Sequence, residues 1–129
     1  MEKVLLVDDE ETVRSTLAAY LDDEGFDVVE AASGEQAIRL VENGLRPAVC
    51  IMDMRLPGMD GHAAILGLHA HVPDLRFVIY TGSLSYALTD DLHAVGITEE
   101  SVFRKPLSDM KILADAVRVL LARGGQLHA

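Results

Sequence analysis

At 129 residues, 50% hydrophobic and 25% charged, the chain has the size and balance of one globular domain, which excludes a disordered tail, a fibre and a pair of domains. Its formal charge of −10 disfavours grip on nucleic acid or anionic lipid, and the absence of Trp with only 5% aromatics leaves too few stacking surfaces for a single-strand binder. Ala48 to Met52, among the longest unbroken apolar runs, falls far short of the roughly 18 residues a membrane span needs, and no basic-then-apolar leader opens the chain, so a cytoplasmic location without membrane contact is expected.

Lys3 to Val7 is a short apolar run rich in β-branched residues and halted by Asp8 and Asp9, the pattern of a strand buried on both faces. Asp9 is placed to cap the helix that follows, in which Val13, Leu17, Tyr20 and Leu21 recur at helical spacing until Gly25. Phe26 to Ala31 reads as a second strand. Ser33-Gly34-Glu35-Gln36 has the form of a capping box and opens a second helix through Ala37, Ile38 and Val41. Pro47 to Met52, with the lone Cys50 as a small buried hydrophobe, is a third strand running straight into Asp53. Turn signals crowd Leu56 to Gly61, and a third helix turns Ile65 and Leu68 inward.

Leu75 to Tyr80 is a fourth strand ending in Thr81-Gly82-Ser83. Between Ser85 and Glu100 the pattern blurs; Asp90 to Val95 fits a short helix, and mobility is expected there. Ser101 to Arg104 is a fifth strand leading into Lys105-Pro106. Met110, Leu113, Ala114, Val117, Leu120 and Leu121 then form the clearest amphipathic stripe in the chain, stopped by Gly124-Gly125. Five β-then-α alternations predict an α/β fold: a doubly wound five-stranded parallel sheet with right-handed crossovers, flanked by five helices. Residues 1–123 form the expected domain, and 124–129 a flexible C-terminal tail or truncated linker.

The chemistry lies at the strand ends. Asp8 and Asp9, Asp53, Thr81 and Lys105 each stand at the C-terminal end of a different predicted strand, the edge where open parallel sheets bind ligands. With the first strand beside the third, three carboxylates converge. Two such charges about 4 Å apart repel by about 4 kcal/mol at an effective dielectric near 20, so the cluster calls for a cation. An open, all-oxygen, carboxylate-rich site suits magnesium, which shares its coordination with water and phosphate. Zinc is disfavoured, because no Cys or His falls at a zinc-ligand spacing and His62, His69, His71, His93 and His128 are scattered. The metal would neutralise charge between a carboxylate and an incoming phosphoryl group, with Lys105 and the Thr81 hydroxyl at its oxygens. A carboxylate attacking phosphorus forms an acyl phosphate.

Val7-Asp8-Asp9-Glu10, Asp53 followed by Leu56-Pro57-Gly58-Met59-Asp60-Gly61, Thr81-Gly82 and Lys105-Pro106 together resemble the receiver domain of bacterial two-component response regulators. The separations also fit: 45 residues from Asp8 to Asp53, 28 from Asp53 to Thr81 and 52 from Asp53 to Lys105. The resemblance spans residues 2–122 and implies a flavodoxin-like sheet in the order 2-1-3-4-5. It implies that Asp53 accepts a phosphoryl group from a histidine kinase or phosphotransfer protein in a reaction dependent on magnesium, or manganese in its place. Asp9 and Asp53 would bind the ion directly, Asp8 through water, and the backbone carbonyl of Arg55 would add another oxygen. Thr81 would hydrogen-bond the phosphoryl group and Lys105 would pair with it. Pro106 corresponds to the family's proline after the lysine, whose bond with it can be cis.

Taken singly, each residue has a plainer reading: Asp9 as a helix cap, Asp53 as the start of an Asx-turn, Thr81 as a turn opener, Lys105 as a solvated strand end. Their joint placement decides for the site. One departure stands out. Many receivers carry an aromatic residue three before the lysine, which swings inward with the threonine; here that position is Val102, and Phe103 is two before. The threonine–aromatic coupling is therefore expected to be weakened or replaced, with the signal still reaching the surface of the fourth helix, fifth strand and fifth helix. Arg55 and Ser83, two past Asp53 and Thr81, stand where side chains overhang the phosphoryl group, and Arg55 could shield it or simply be solvated.

The expected function is a phosphorylation-dependent switch in a phosphorelay, signalling to a downstream effector or attached output domain; a phosphorylation-dependent dimer is left open. Beyond its own phosphorylation and dephosphorylation, no enzyme activity is expected. The alternatives are a receiver module cut from a hybrid histidine kinase and, poorly supported, a magnesium-dependent aspartyl-phosphate phosphatase. Phosphatases of the haloacid dehalogenase type carry a second Asp two residues after the nucleophile, where this chain has Arg55.

Overall fold

Apolar runs such as Val49–Met52, with every residue buried, can form strands only where both sheet faces are covered. The computed structural model of the chain, which describes residues 2–82, 88–105 and 109–127, satisfies this with five parallel strands. They are β1 (Lys3–Val7), β2 (Asp27–Ala31), β3 (Val49–Met52), β4 (Arg76–Thr81) and β5 (Val102–Arg104), in the order β2-β1-β3-β4-β5. The predicted fold class and strand order both hold. The central strands β1, β3 and β4 are almost wholly buried, whereas the edges β2 and β5 expose Glu30 and Arg104, charges that discourage pairing with another sheet.

The helices are α1 (Glu11–Asp23), α2 (Gly34–Glu42), α3 (Gly61–His71), α4 (Asp90–Ala94) and α5 (Lys111–Leu127). Strand alternation divides the core into two layers. Val4, Leu6, Val49, Ile51, Val78 and Tyr80 pack with Leu17 and Leu21 of α1 and Leu113 and Val117 of α5. Leu5, Val7, Cys50, Met52, Phe77 and Ile79 pack with residues of α2, α3 and α4 on the opposite face. Burial raises the Cys50 thiol pKa far above its usual value, which fits the inert apolar role expected of it.

The capping box at Ser33 forms in a modified way. Ser33 Oγ accepts from the Gln36 N–H at 3.0 Å, while Gln36 Oε1 reaches back to the N–H of Ala32, one residue before the cap, at 2.7 Å. Two boundaries differ from expectation. Asp9 does not cap α1: the cap position is Glu10, whose N–H donates to Asp8 Oδ1 at 2.9 Å, so Asp8 makes the turn and Asp9 stays exposed. Helix α5 also runs through Gly124-Gly125 to Leu127, into the segment expected as a tail or linker. Glycine in a helix interior costs about 1 kcal/mol relative to alanine, less than a stop requires when preceding turns already propagate the hydrogen-bond ladder. In the stretch predicted to be mobile, α4 forms within one residue of its expected bounds, and residues 83–87 lie outside the described residues.

Candidate functional site

The alternation that buries Leu6, Ile51 and Phe103 beneath α1 and α5 continues past the strand ends, and two residues further on it points Asp8, Asp53 and Lys105 to the same side. Register makes them level. Val7 pairs with Met52, and the Asp53 N–H donates to the Val7 carbonyl at 3.0 Å, which brings Asp53 beside Asp8. Across the sheet, the Lys105 N–H donates to the Thr81 carbonyl at 2.9 Å and anchors the lysine at the same edge.

The result is a charged cluster almost closed to solvent at its base. Asp8 is 1% exposed and Asp53 4%. Lys105 Nζ donates to Asp8 Oδ2 at 2.7 Å and to Asp53 Oδ2 at 3.3 Å. The Arg55 N–H holds Asp53 Oδ1 at 3.0 Å, so the two carboxylate oxygens have distinct partners. Burial pushes the Asp53 carboxyl above the usual aspartate range, and the neighbouring Asp8 charge pushes the same way against the pull of Arg55 and Lys105. At Lys105 burial disfavours the ammonium, but the bond to Asp8 and the charges of Asp53 and Asp8 outweigh it and hold the pKa above the ordinary lysine value.

Above the cluster opens a cavity of about 240 Å³ lined by Asp9, Glu10, Asp53, Arg55, Gly82 and Lys105. Carboxylate oxygens of Asp8, Glu10 and Asp53 lie within 4.8 Å of one another, a hard all-oxygen donor set that fits a small divalent cation. Asp9 faces the cavity but stands outside that set. The third acid of the set is Glu10, which the sequence reading did not single out as a ligand although it closes the Val7-Asp8-Asp9-Glu10 run. Among the described residues no His or Cys joins the cluster.

Thr81 is fully buried at the end of β4, where alternation turns it toward the layer of Phe77 and Ile79; its neighbour Gly82 forms the cavity wall. Val102 pairs with Ile79 and is half-buried on that same face, whereas Phe103 pairs with Tyr80 on the opposite one. Arg55 is exposed at the cavity rim. The expectations for Ser83 and Pro106 lie outside the described residues.

Two contacts brace the loops. Arg14 of α1 donates to the Asp8 carbonyl at 2.8 Å and to Glu30 Oε1 at 3.1 Å, fixing the chain as it leaves β1. After β3, Asp60 caps α3 through the Ala63 N–H at 2.9 Å, and Gly61 lies so close that an added Cβ would sit 2.7 Å from the Asp53 carbonyl oxygen.

Residues 4–117 match the family model of the response regulator receiver domain. The chain is 31% identical over 120 residues to sporulation initiation phosphotransferase F of Bacillus subtilis (strain 168), covering 93% of this chain and 94% of that protein. It is 34% identical over 124 residues to sensor kinase CckA of Brucella abortus (strain 2308), covering 93% of this chain but 12% of the kinase. Its fold is also that of a CheY-like response regulator receiver domain protein from Methanospirillum hungatei JF-1, with a TM-score of 0.84, 22% identity and 98% of each chain covered.

Proposed function

This chain belongs to the response regulator receiver family of two-component signalling, and from that premise we propose that Asp53 is its phosphoryl acceptor. The observation that carries the assignment is the placement of one lysine ammonium against two nearly buried carboxylates at the floor of an open acidic cavity. A carboxylate oxygen of Asp53 attacks the phosphorus of a phosphohistidine, the phosphorus–nitrogen bond breaks, and its electron pair leaves with the imidazole. The Arg55 N–H orients the acceptor carboxylate, and Lys105, already within reach of Asp53, neutralises phosphoryl oxygens as they arrive.

Asp8, Glu10 and Asp53 would hold magnesium or manganese, with Asp9 at the rim of the cavity and the Arg55 carbonyl offering a further oxygen. Bound there, the ion supplies charge neutralisation between the acceptor and the incoming phosphoryl group. Thr81, one residue from the wall at Gly82, reports the new group to the layer of α3 and α4, and Arg55 at the rim shields the acyl phosphate from water. An Arg55→Ala protein should then lose its phosphoryl group faster than the parent.

The domain accelerates its own phosphorylation and dephosphorylation and turns over no separate substrate, since Arg55 occupies the place where a phosphatase of the haloacid dehalogenase type needs an acid. Its donors are a histidine kinase or phosphotransfer protein, and its readers an effector or attached output domain. The likeness to both a small phosphotransferase and a segment of a sensor kinase supports a regulator that works alone or as the receiver of a hybrid kinase. Among the described residues no helix is long and apolar enough to cross a membrane, which accords with a cytoplasmic site of action. Incubation with radiolabelled acetyl phosphate, with magnesium or with chelator, tests the assignment: label should enter the parent only with the metal and be absent from Asp53→Asn. Label retained by that variant moves the acceptor elsewhere.

A further inference from the structure

The phosphoryl-acceptor reading leaves unused Tyr80, the β4 residue immediately before Thr81. Its side chain is buried in the layer beneath α1 and α5, opposite Phe103 in register. Lys105 Nζ lies over its ring, 5.2 Å from the centroid. The ammonium therefore has three neighbours of two kinds: the carboxylates of Asp8 and Asp53 at 2.7 and 3.3 Å, and a π face. A lysine is a point charge on a flexible four-carbon stem, so carboxylates alone do not hold its nitrogen in one place once their own charges change. An aromatic face attracts a cation without carrying charge, and a desolvated setting strengthens that attraction. Lys105 is 13% exposed at its side chain and Tyr80 7% overall, so the contact is largely shielded from water.

We propose that Tyr80 is a positioning residue for phosphoryl transfer, its ring holding the Lys105 ammonium at the height of Asp53 while charge at that carboxylate is converted to phosphoryl. The inference rests on the reading that Lys105 serves the incoming phosphoryl group. Leucine at position 80 would fill much of the same apolar space and offer no π face; phenylalanine would keep the face.

Rates of phosphorylation by acetyl phosphate at saturating magnesium, in the full chain, separate these ideas. Tyr80→Leu should be about 3- to 10-fold slower than the parent, and Tyr80→Phe should return to within about twofold of it. Tyr80→Met repeats the comparison at a temperature where all variants remain folded by circular dichroism. In a Lys105→Ala background the Tyr80→Leu effect should vanish, because the ring acts only through the ammonium. The upfield ring-current shift of the Lys105 ε-methylene protons should persist in the Phe variant and disappear in the Leu variant, a readout that loss of packing elsewhere would not produce. Parent-like rates in both Leu and Met variants, or an equal slowing with and without Lys105, would overturn the positioning role. If Lys105→Ala alone phosphorylates at the parent rate, the assignment of Lys105 itself falls and the inference falls with it; a slow Lys105→Ala beside a fast Tyr80→Leu sinks the inference alone.

Discussion

Lys105 lies closer to Asp8 than to the proposed acceptor: its ammonium stands 2.7 Å from Asp8 Oδ2 and 3.3 Å from Asp53 Oδ2. Both acids are nearly buried, so the lysine compensates two charges that water reaches only through the cavity. Removing one partner of a buried pair typically costs about 3–5 kcal/mol because the other charge is left behind. Lys105→Met should destabilise the fold by about that amount at neutral pH in chelator. The sign with pH follows from Asp53, whose pKa is already raised and loses a downward pull when the lysine goes. The folded state then holds that proton more tightly than the unfolded chain, so stability falls as pH rises above the ordinary carboxyl range and recovers on acidification. Magnesium should also restore stability by binding only the folded form. Urea melts at pH 4.5 and pH 7, with and without magnesium, measure this; an equal deficit under all conditions contradicts it.

Asp53→Asn should act in the opposite direction. In the parent, burial and the Asp8 charge raise the Asp53 pKa from the ordinary value of 3.8, and stability is lost as pH climbs through the window between that value and the raised one. An amide of the same shape has no proton to lose, and Lys105 keeps its shorter bond to Asp8. The variant should therefore be more stable than the parent at pH 7 in chelator, with the gain shrinking as pH falls through that window and gone at its lower end. Paired thermal melts across that range decide it. Destabilisation at neutral pH would mean that the lysine contact outweighs burial and repulsion.

Gly61 couples α3 to the chain leaving β3 through close approach. A Cβ there would stand 2.6 Å from Met54 Cα and 2.7 Å from the Asp53 carbonyl, both backbone atoms that cannot swing aside. Gly61→Ala should cost about 1–3 kcal/mol and displace the Asp53 loop, slowing phosphorylation as well. Gly58→Ala, strained by a positive φ of +71° and meeting a flexible Glu35 side chain rather than backbone, should cost less than Gly61→Ala and leave the rate near that of the parent. Denaturant melts and acetyl phosphate labelling of the two variants provide the comparison.

The sheet and most of the cluster were legible because both rest on the two-residue period of a strand. Once Leu6 and Ile51 are assigned inward, Asp8 and Asp53 must follow them, and parallel pairing of the first and third strands makes the two neighbours. The period ends with the strand, and so did legibility. Whether Asp9 or Glu10 turns toward the other acids depends on the Asx-type turn that Asp8 makes with the Glu10 N–H, a geometry no spacing encodes. The end of α5 was misread for another reason: Gly124-Gly125 weakens a helix without terminating it. The approach of Lys105 to the Tyr80 ring joins a side chain beyond β5 to one within β4, and only the folded register reveals it.

Val102 defines the last expectation. It shares a sheet face with α4, packing against the layer that holds Leu92 and Ile97, whereas Phe103 is committed to the other face. A strand cannot exchange the two without slipping register by one residue, which would turn every side chain over, so Phe103 cannot stand in for an inward-swinging aromatic at position 102. On the proposed reading, a signal leaving Thr81 passes through smaller adjustments of β5 and α4. Adding magnesium and beryllofluoride should shift amide resonances in α4 and β5, beyond the residues lining the cavity. Val102→Tyr, a larger group at a half-buried site, should cost about 1 kcal/mol of stability through crowding and enlarge those shifts. Shifts confined to Asp9, Glu10, Asp53, Arg55, Gly82 and Lys105 would leave this face without a part in signalling.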